Sequence, residues 1–216
     1  MDSVTAYAPG TVSNLAVGFD VLGVAVEGLG DTVTARRVAT PGVRLVEITG
    51  DGGRLPRAPE DNTAAIAAAS TLQAAGVEMG VEPTLHKGLP LCSGMGSSAA
   101  SAVAAAYATN LLIGGVLRKI DLVGPCLDAE ARVAGRHADN VAPSLLGGWV
   151  LIRSLDPVRF QNFLEVFEFS IKSVDLAFVN KHSVAQYLLL LVEFFRVIEG
   201  EYRNIVFASE ANGVKG

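Results

Sequence analysis

A glycine- and serine-rich segment, residues 90–100, is the part of the sequence best suited to do chemistry. It reads PLCSGMGSSAA. Gly94 and Gly96 let the backbone turn tightly and approach a ligand without a Cβ in the way. Ser97 and Ser98 follow at the predicted start of a helix, where free N–H groups and the positive end of the helix dipole attract phosphate. Their hydroxyls can bind a phosphate oxygen or Mg²⁺, so the pattern predicts a phosphate-binding loop.

The same segment has a simpler interpretation as an ordinary Gly-Ser turn that begins a helix. It also lacks the features of two common nucleotide-binding motifs. No Gly-Lys-Ser/Thr follows, which excludes a Walker A loop, and the third glycine of a dinucleotide fingerprint is missing. The segment instead resembles the ATP-binding signature of the GHMP kinase superfamily, PxxxGxGSSA followed by Ala or Ser, at every fixed position.

This resemblance implies that ATP binds at the loop and at the start of the next helix upstream. Asn62 precedes that Ala-rich helix, where the family has its adenine pocket, but it is equally well explained as a helix N-cap. The nucleotide-binding residues implied are Asn62, Pro90, Ser93, Gly94, Met95, Gly96, Ser97, Ser98, Ala99 and Ala100.

Two further motifs resemble the homoserine kinases within that superfamily, those of plants in particular. Residues 9–20, PGTVSNLAVGFD, resemble the N-terminal motif of that family, and residues 135–143, GRHADNVAP, resemble its GHxDNxAP motif. The order and spacing of the three motifs also fit, over roughly residues 4–159. The resemblance implies ATP-dependent phosphorylation of L-homoserine to O-phospho-L-homoserine, on the route to threonine. Two alternatives remain open: a kinase for another small alcohol such as mevalonate, and a non-catalytic ATP-binding remnant.

The polar residues of these motifs acquire roles from the same resemblance. Asp20 and Asp139 would hold the amino-acid substrate, Asn14 would lie near its hydroxyl, and His137 would orient or support the site. Asp139 is also the best candidate if a catalytic base exists. Taken singly, Asp20 is as well explained by a loop cap and Asn14 by an Asx turn.

A magnesium site is implied by two residues on different predicted helices. Glu130 matches the acidic residue that resembles the family's Mg²⁺ ligand, and Ser98 would be the second protein ligand. The chemistry is reasonable because Mg²⁺ takes few carboxylates together with phosphate oxygens and water. An exposed helical glutamate is the simpler alternative for Glu130.

The elements that must position these residues alternate in an α+β pattern, with strands before and around helices. The resemblance implies the GHMP kinase N-terminal fold, which is like domain 2 of ribosomal protein S5. The predicted strands are residues 4–7, 21–26, 31–38, 43–49, 81–86 and 149–153, and the predicted helices are residues 63–75, 97–112 and 117–134.

Composition changes sharply near residue 160. Residues 1–160 contain 20 of the 23 glycines and five of the 14 aromatic residues, whereas residues 161–216 contain three glycines and nine aromatics. The interpretation is a GHMP kinase N-terminal ATP-binding domain at 1–160 and a divergent tail of unknown fold at 161–216. Most of the family's C-terminal domain would then be missing, and we expect impaired activity.

Overall composition limits the partners and compartment. The formal net charge of −5 argues against nucleic acid as a partner, and no apolar run approaches the ~20 residues that span a bilayer. Two cysteines outside any metal-ligand pattern favour a reduced compartment. We expect a soluble intracellular protein that binds a small molecule and can form a homodimer. The plant-like resemblance implies the plastid stroma, although no transit peptide is visible.

Overall fold

A computed structural model describes residues 2–15, 18–155 and 158–162. Seven strands and four α-helices lie in these ranges, with 3₁₀ turns at Pro59–Asp61 and Lys119–Leu122. The strands are β1 Ser3–Ser13, β2 Leu22–Val38, β3 Gly42–Val43, β4 Glu47–Thr49, β5 Gly80–His86, β6 Trp149–Leu155 and β7 Val158–Asn162, and the helices are α1 Thr63–Ala75, α2 Ser97–Leu112, α3 Val123–Glu130 and α4 Ala138–Leu146.

Strand β2 lies at the centre of one mixed sheet. β1 runs antiparallel along one side of it. On its other side, β6 pairs antiparallel with its first residues and β5 with its last. The short strands β3 and β4 run parallel to β5, and β7 is antiparallel to β6. The connection from β4 through α1 to β5 is therefore a parallel crossover, and the pairings that involve neither β3 nor β4 are all antiparallel.

The helices pack on the sheet around α2. This helix contacts β1 and β2 as well as α1, α3 and α4. Twelve of its residues are buried, most of them alanines, so the backbone of α2 can approach the sheet closely. Its start is consequently held in place by packing on several sides. The predicted α+β fold class agrees with this arrangement.

Helices α1 and α2 have the bounds that the sequence predicts, but the strands differ. The predicted strands at 21–26 and 31–38 form one continuous strand, β2. In its pairing with β1, Gly30 lies opposite Pro9 and the next paired residue is Ala25, opposite Thr11. Residues 26–29 therefore form a bulge that interrupts the pairing without ending the strand. The predicted strand at 43–49 is two shorter pieces, β3 and β4.

The region after α2 differs more. The predicted helix at 117–134 is a 3₁₀ turn followed by α3, which ends at Glu130. Helix α4 was not predicted. It has nine residues and an internal Pro143, and it packs on β1, β2 and β6. Contacts with the sheet therefore stabilise a segment with weak local helical signals.

The end of the described chain crosses the predicted domain boundary. β7 runs from Val158 to Asn162 and pairs with β6. The rest of the predicted tail, from residue 163 to residue 216, lies outside the described residues. Within the part of the chain that the structure describes, no helix is long and apolar enough to span a membrane.

Candidate functional site

The glycine-serine segment forms a loop that leads from β5 into α2. Gly96 is the N-cap of α2 and has φ 59°, and Gly94 has φ 73°. A Cβ added to Gly96 would overlap the Thr11 hydroxyl and lie 2.8 Å from Asn140 Oδ1. Both the backbone conformation and the lack of space therefore require glycine at position 96.

The loop is joined to β1 and α4 through Thr11. The backbone N–H of Thr11 donates to the Met95 carbonyl at 3.0 Å. Its hydroxyl donates to Asn140 Oδ1 at 2.8 Å, and the residue is fully buried. Thr11 lies within the 9–20 motif, but nothing in the sequence indicates which of that motif's residues reaches the loop.

The start of α2 offers backbone donors. The N–H of Ala100 bonds to the Gly96 carbonyl at 2.9 Å, so the N–H groups before it, at Ser97, Ser98 and Ala99, are those that a helix leaves without an intrahelical partner. Ser97 and Ser98 are half-buried, whereas Ala99 and Ala100 are fully buried. The two alanine side chains therefore pack in the core. The groups available to a ligand are the backbone N–H groups of residues 97–99 and the two serine hydroxyls. Pro90, Ser93 and Gly94 lie on the exposed part of the loop.

Glu130, at the end of α3, faces the start of α2. Ser98 Oγ donates to Glu130 Oε2 at 3.2 Å. Glu130 is 4% exposed, and its Oε1 is buried with no partner among the described residues. Burial raises the pKa of Glu130; the Ser98 hydrogen bond opposes this shift, and the negative charge of Asp139 adds to it. A buried carboxylate with such an oxygen is the arrangement that a bound cation stabilises.

Asp139 lies in the first turn of α4, close to Glu130. It is 2% exposed, and its Oδ1 has no partner among the described residues. Gly23 of β2 permits this position, because a Cβ there would overlap the Asp139 carbonyl oxygen and lie 2.9 Å from Pro143 Cγ. The structure thus brings together two buried carboxylates for which the family resemblance implies roles in binding metal and substrate.

The protein ligands for a metal are few. Within the described ranges, no group of three or more His, Cys, Asp or Glu side chains could hold an ion. Glu130 and Ser98 together offer one carboxylate and one hydroxyl beside the start of α2. That donor set fits Mg²⁺ bound chiefly through phosphate oxygens and water rather than a metal held by protein alone.

The remaining substrate candidates lie on the exposed side of the site. Asn14 and Asp20 have left-handed backbone conformations, with φ 58° and 60°. Asn14 Oδ1 accepts the Asp20 N–H at 3.0 Å, so Asn14 bridges the loop to Asp20 rather than forming an Asx turn, which would reach only two residues on. Asp20 Oδ1 lies 3.6 Å from His137 Nδ1, and both side chains are about half exposed. Asp20 and His137 therefore meet at the start of α4, two residues before Asp139.

Asn62 is the N-cap of α1. Its Oδ1 accepts from the N–H groups of Ala64 at 3.0 Å and Ala65 at 3.4 Å, and its Nδ2 donates to the Pro56 carbonyl at 3.1 Å. The residue is 3% exposed. The N-cap role is confirmed, and a role in adenine binding stays a prediction.

Replacing Asn62 separates these two roles. We expect Asn62→Ala to lower the free energy of unfolding by about 1–2 kcal/mol because the cap is lost. Asn62→Asp is a control for the cap alone, since one aspartate oxygen can accept both cap N–H groups but the carboxylate cannot donate to the Pro56 carbonyl. Chemical denaturation measures the stability, and titration with a fluorescent ATP analogue measures the affinity. Unchanged stability together with weakened nucleotide binding would contradict the capping role.

A buried ion pair below the loop has no counterpart among the residues predicted from the sequence. Lys87, directly after β5, pairs with Asp31 of β2, and their side chains are 1% and 0% exposed. Lys87 immediately precedes the loop. Its place at the end of a buried strand is the only feature of the sequence that could have indicated a buried ion pair. The position of Asp31 near it depends on strand pairing.

Comparison with known proteins identifies the family of the domain that contains these residues. Residues 62–148 match the family model described as the GHMP kinases N terminal domain. The chain contains a GHMP kinase N-terminal domain. This match spans Asn62, the loop, Glu130 and the 135–143 motif, and so includes most of the site described above.

Homoserine kinases are among the relatives of this GHMP kinase domain. That of Xylella fastidiosa is 48% identical over 147 residues, which cover 68% of this chain and 46% of the relative. That of Arabidopsis thaliana is 49% identical over 174 residues, covering 76% and 47%. The chain thus spans about half the length of the curated relatives it matches. The predicted resemblance to homoserine kinases is confirmed, and a plant enzyme is among the relatives at an identity similar to that of the bacterial ones.

Solved structures support the same fold. A crystal structure of homoserine kinase from Cytophaga hutchinsonii matches with a TM-score of 0.72 at 40% identity, over 87% of this chain and 64% of that one. Mevalonate kinase from Methanococcus jannaschii matches with a TM-score of 0.61 at 16% identity, over 78% and 58%. The second likeness shows a shared fold only. The predicted GHMP kinase fold is therefore confirmed.

Proposed function

We propose that this domain binds ATP at the start of α2 and that the whole protein transfers the γ-phosphate to the hydroxyl of L-homoserine, giving O-phospho-L-homoserine. One observation carries the proposal. The Ser98 hydroxyl, at the start of α2, bonds to the buried Glu130 beside the buried Asp139, and each carboxylate has an oxygen without a partner among the described residues. A divalent cation that accompanies the nucleotide phosphates would supply the positive charge that two neighbouring buried carboxylates lack.

The phosphates would bind to the free N–H groups of residues 97–99 and to the serine hydroxyls. Mg²⁺ would be held by Ser98 and Glu130 and would offset charge on the transferred phosphoryl group. The protein's own contribution is to keep these donors in one place. The fully buried Thr11 does so by joining the loop to β1 and α4.

Homoserine carries an ammonium, a carboxylate and the reacting hydroxyl. Asp20 and Asp139 are proposed for the ammonium, with Asn14 near the hydroxyl and His137 in support. Asp139 is also the candidate base, and without a base the reaction would depend on positioning and electrostatic stabilisation.

The substrate carboxylate needs a cationic partner. Arg132 pairs with Asp61, and Arg136 Nη1 lies 2.7 Å from Asp128 Oδ1, so these two arginines are already engaged by carboxylates. We therefore propose that these two arginines do not bind the substrate carboxylate and that its cationic partner lies elsewhere. Homodimer formation, the plastid compartment and the absence of nucleic-acid and membrane partners stay predictions.

A second candidate function is ATP binding without catalysis. The loop, Ser98 and Glu130 would serve this function equally well, because nucleotide binding needs no contact with an accepting alcohol. A kinase for another alcohol is a third possibility, since mevalonate kinases share the fold. The 48% identity to a homoserine kinase favours homoserine over mevalonate.

Binding and turnover assays test the proposal. We expect the chain to bind a fluorescent ATP analogue more tightly with Mg²⁺ than without it. When residues 1–160 are joined to the remaining region of the Arabidopsis relative, we expect ADP release with homoserine but not with mevalonate, galactose or shikimate. Absence of nucleotide binding contradicts the proposal. Nucleotide binding by the chimera without homoserine-dependent ADP release favours the non-catalytic alternative, and preference for another alcohol overturns the homoserine assignment.

A further inference from the structure

Lys87 lies in a closed hydrogen-bond network directly below the phosphate-binding loop. Its Nζ pairs with Asp31 and lies 2.8 Å from the Ser97 carbonyl oxygen, 2.7 Å from Ser97 Oγ and 2.9 Å from Ser101 Oγ, so its three hydrogens are shared among four oxygens. The side chain is 1% exposed. A buried ammonium is thus enclosed by four oxygen atoms, and two of them belong to the first residue of α2.

Both carboxylate oxygens of Asp31 also accept hydrogen bonds. Its Oδ1 accepts the N–H groups of Gly88 at 3.1 Å and Leu89 at 3.2 Å, and its Oδ2 accepts the Ser101 hydroxyl at 2.7 Å as well as Lys87. Burial lowers the pKa of Lys87, and the Asp31 charge opposes that shift and favours the ammonium form. Asp31 thereby supports both Lys87 and the first residues of the loop.

The network determines the direction of the Ser97 hydroxyl. An ammonium can only donate, so Ser97 Oγ must accept from Lys87. The hydroxyl hydrogen of Ser97 then points away from Lys87. Ser101 differs, because its hydrogen is already donated to Asp31. Of the two serines bonded to Lys87, only Ser97 keeps a hydrogen to donate to a ligand, and it lies half-buried at the start of α2.

We propose that Lys87 is a positioning residue for the nucleotide phosphates, acting through Ser97. By occupying an acceptor site of Ser97 Oγ, it makes this hydroxyl a donor to a phosphate oxygen at the start of α2. Lys87 does not contact phosphate itself, because it is buried below Ser97. The inference rests on the proposed ATP function and adds a residue that the motif did not include.

Two sets of variants separate this role from simple structural support. Lys87→Met leaves Asp31 buried without its partner, and we expect a lower unfolding temperature. Lys87→Met combined with Asp31→Asn removes both charges and keeps an oxygen for the Gly88 and Leu89 N–H groups. Ser97→Ala removes only the hydroxyl. Lys119→Met is the matched control, since Lys119 is exposed and lies 5.5 Å from the Tyr107 ring centroid.

Calorimetric titration with ADP, with adenosine as the ligand without phosphate, is the measurement. We expect the double variant to recover the unfolding temperature of the parent chain but to bind ADP about tenfold more weakly, with unchanged adenosine affinity. Ser97→Ala should lose about the same factor, and adding it to the double variant should cause little further loss, because both changes act through one hydroxyl.

The possible failures are distinguishable. If the parent chain binds ADP and the double variant binds it equally well, the role of Lys87 is overturned while the proposed function stands. If Ser97→Ala binds ADP as tightly as the parent chain, the role of Lys87 is likewise overturned. This variant can be measured even if the double variant does not fold. A parent chain that does not bind ADP overturns the proposed function and this inference with it.

Discussion

Gly96→Val is expected to abolish nucleotide binding. Gly96 has φ 59°, a conformation that a β-branched residue adopts only with strain. Its new Cβ would also overlap the Thr11 hydroxyl and press against the Asn140 side chain. The loop would have to move away from β1 and α4, and the N–H groups at the start of α2 would lose their arrangement. Titration with a fluorescent ATP analogue checks this result.

Gly94→Ala is the matched control for that variant. Gly94 also has positive φ, at 73°, but a Cβ there meets no atom within 4 Å. Alanine at this position has only the conformational cost of about 1 kcal/mol, and we expect measurable binding to persist. If Gly96→Val binds the analogue as tightly as the parent chain, the loop is not the nucleotide site.

Glu130→Gln should remove most of the Mg²⁺ dependence of nucleotide binding. The substitution keeps the size of the side chain and the possibility of a bond to Ser98, but it removes the charge proposed to hold the cation. We expect the gain in affinity on adding Mg²⁺ to fall by about tenfold or more, as for loss of a hydrogen-bonded charge. Titrations with and without Mg²⁺ measure the effect. Glu78→Gln is the control, because Glu78 is exposed.

The same variant should not lose stability in the absence of ligand. Burial raises the pKa of Glu130 above its ordinary value of 4.5, so the folded state holds this proton more tightly than the unfolded state. The contribution of Glu130 to stability therefore falls as the pH rises from that value through the raised pKa. Glu130→Gln lacks this pH dependence. A large drop in the unfolding temperature of Glu130→Gln without ligand would mean that Glu130 is structural.

Local chemistry explains which elements were predictable. Helix α1 begins at a capping asparagine, Asn62, and ends at Gly76 with φ 64°. These signals act within a few residues, so the bounds follow from the sequence alone. The start of α2 is similar, since Gly96 and the two serines after it define a turn into a helix. The turn at the start of α2 is therefore predictable from residues that are neighbours along the chain.

Other features depended on contacts between distant segments. Helix α4 has Pro143 inside it, and packing on three strands stabilises it. The close approach of Asp139 to β2 needs Gly23, more than a hundred residues earlier in the chain. The hydrophobic periodicity of a segment cannot predict such contacts between distant segments. The contacts stabilise the fold only when both segments are in place.

The sequence by itself determined the types of group at the site: a glycine loop that can approach phosphate, hydroxyls at a helix start, and carboxylates in recognisable motifs. Only the tertiary structure decided their environment. It buried Glu130 and Asp139, each with an oxygen lacking a partner among the described residues, and it placed Asp31 beside Lys87 across 56 positions of sequence. Burial and neighbouring charge determine whether a carboxylate is a solvated surface group or a cation site, and both are properties of the packed chain.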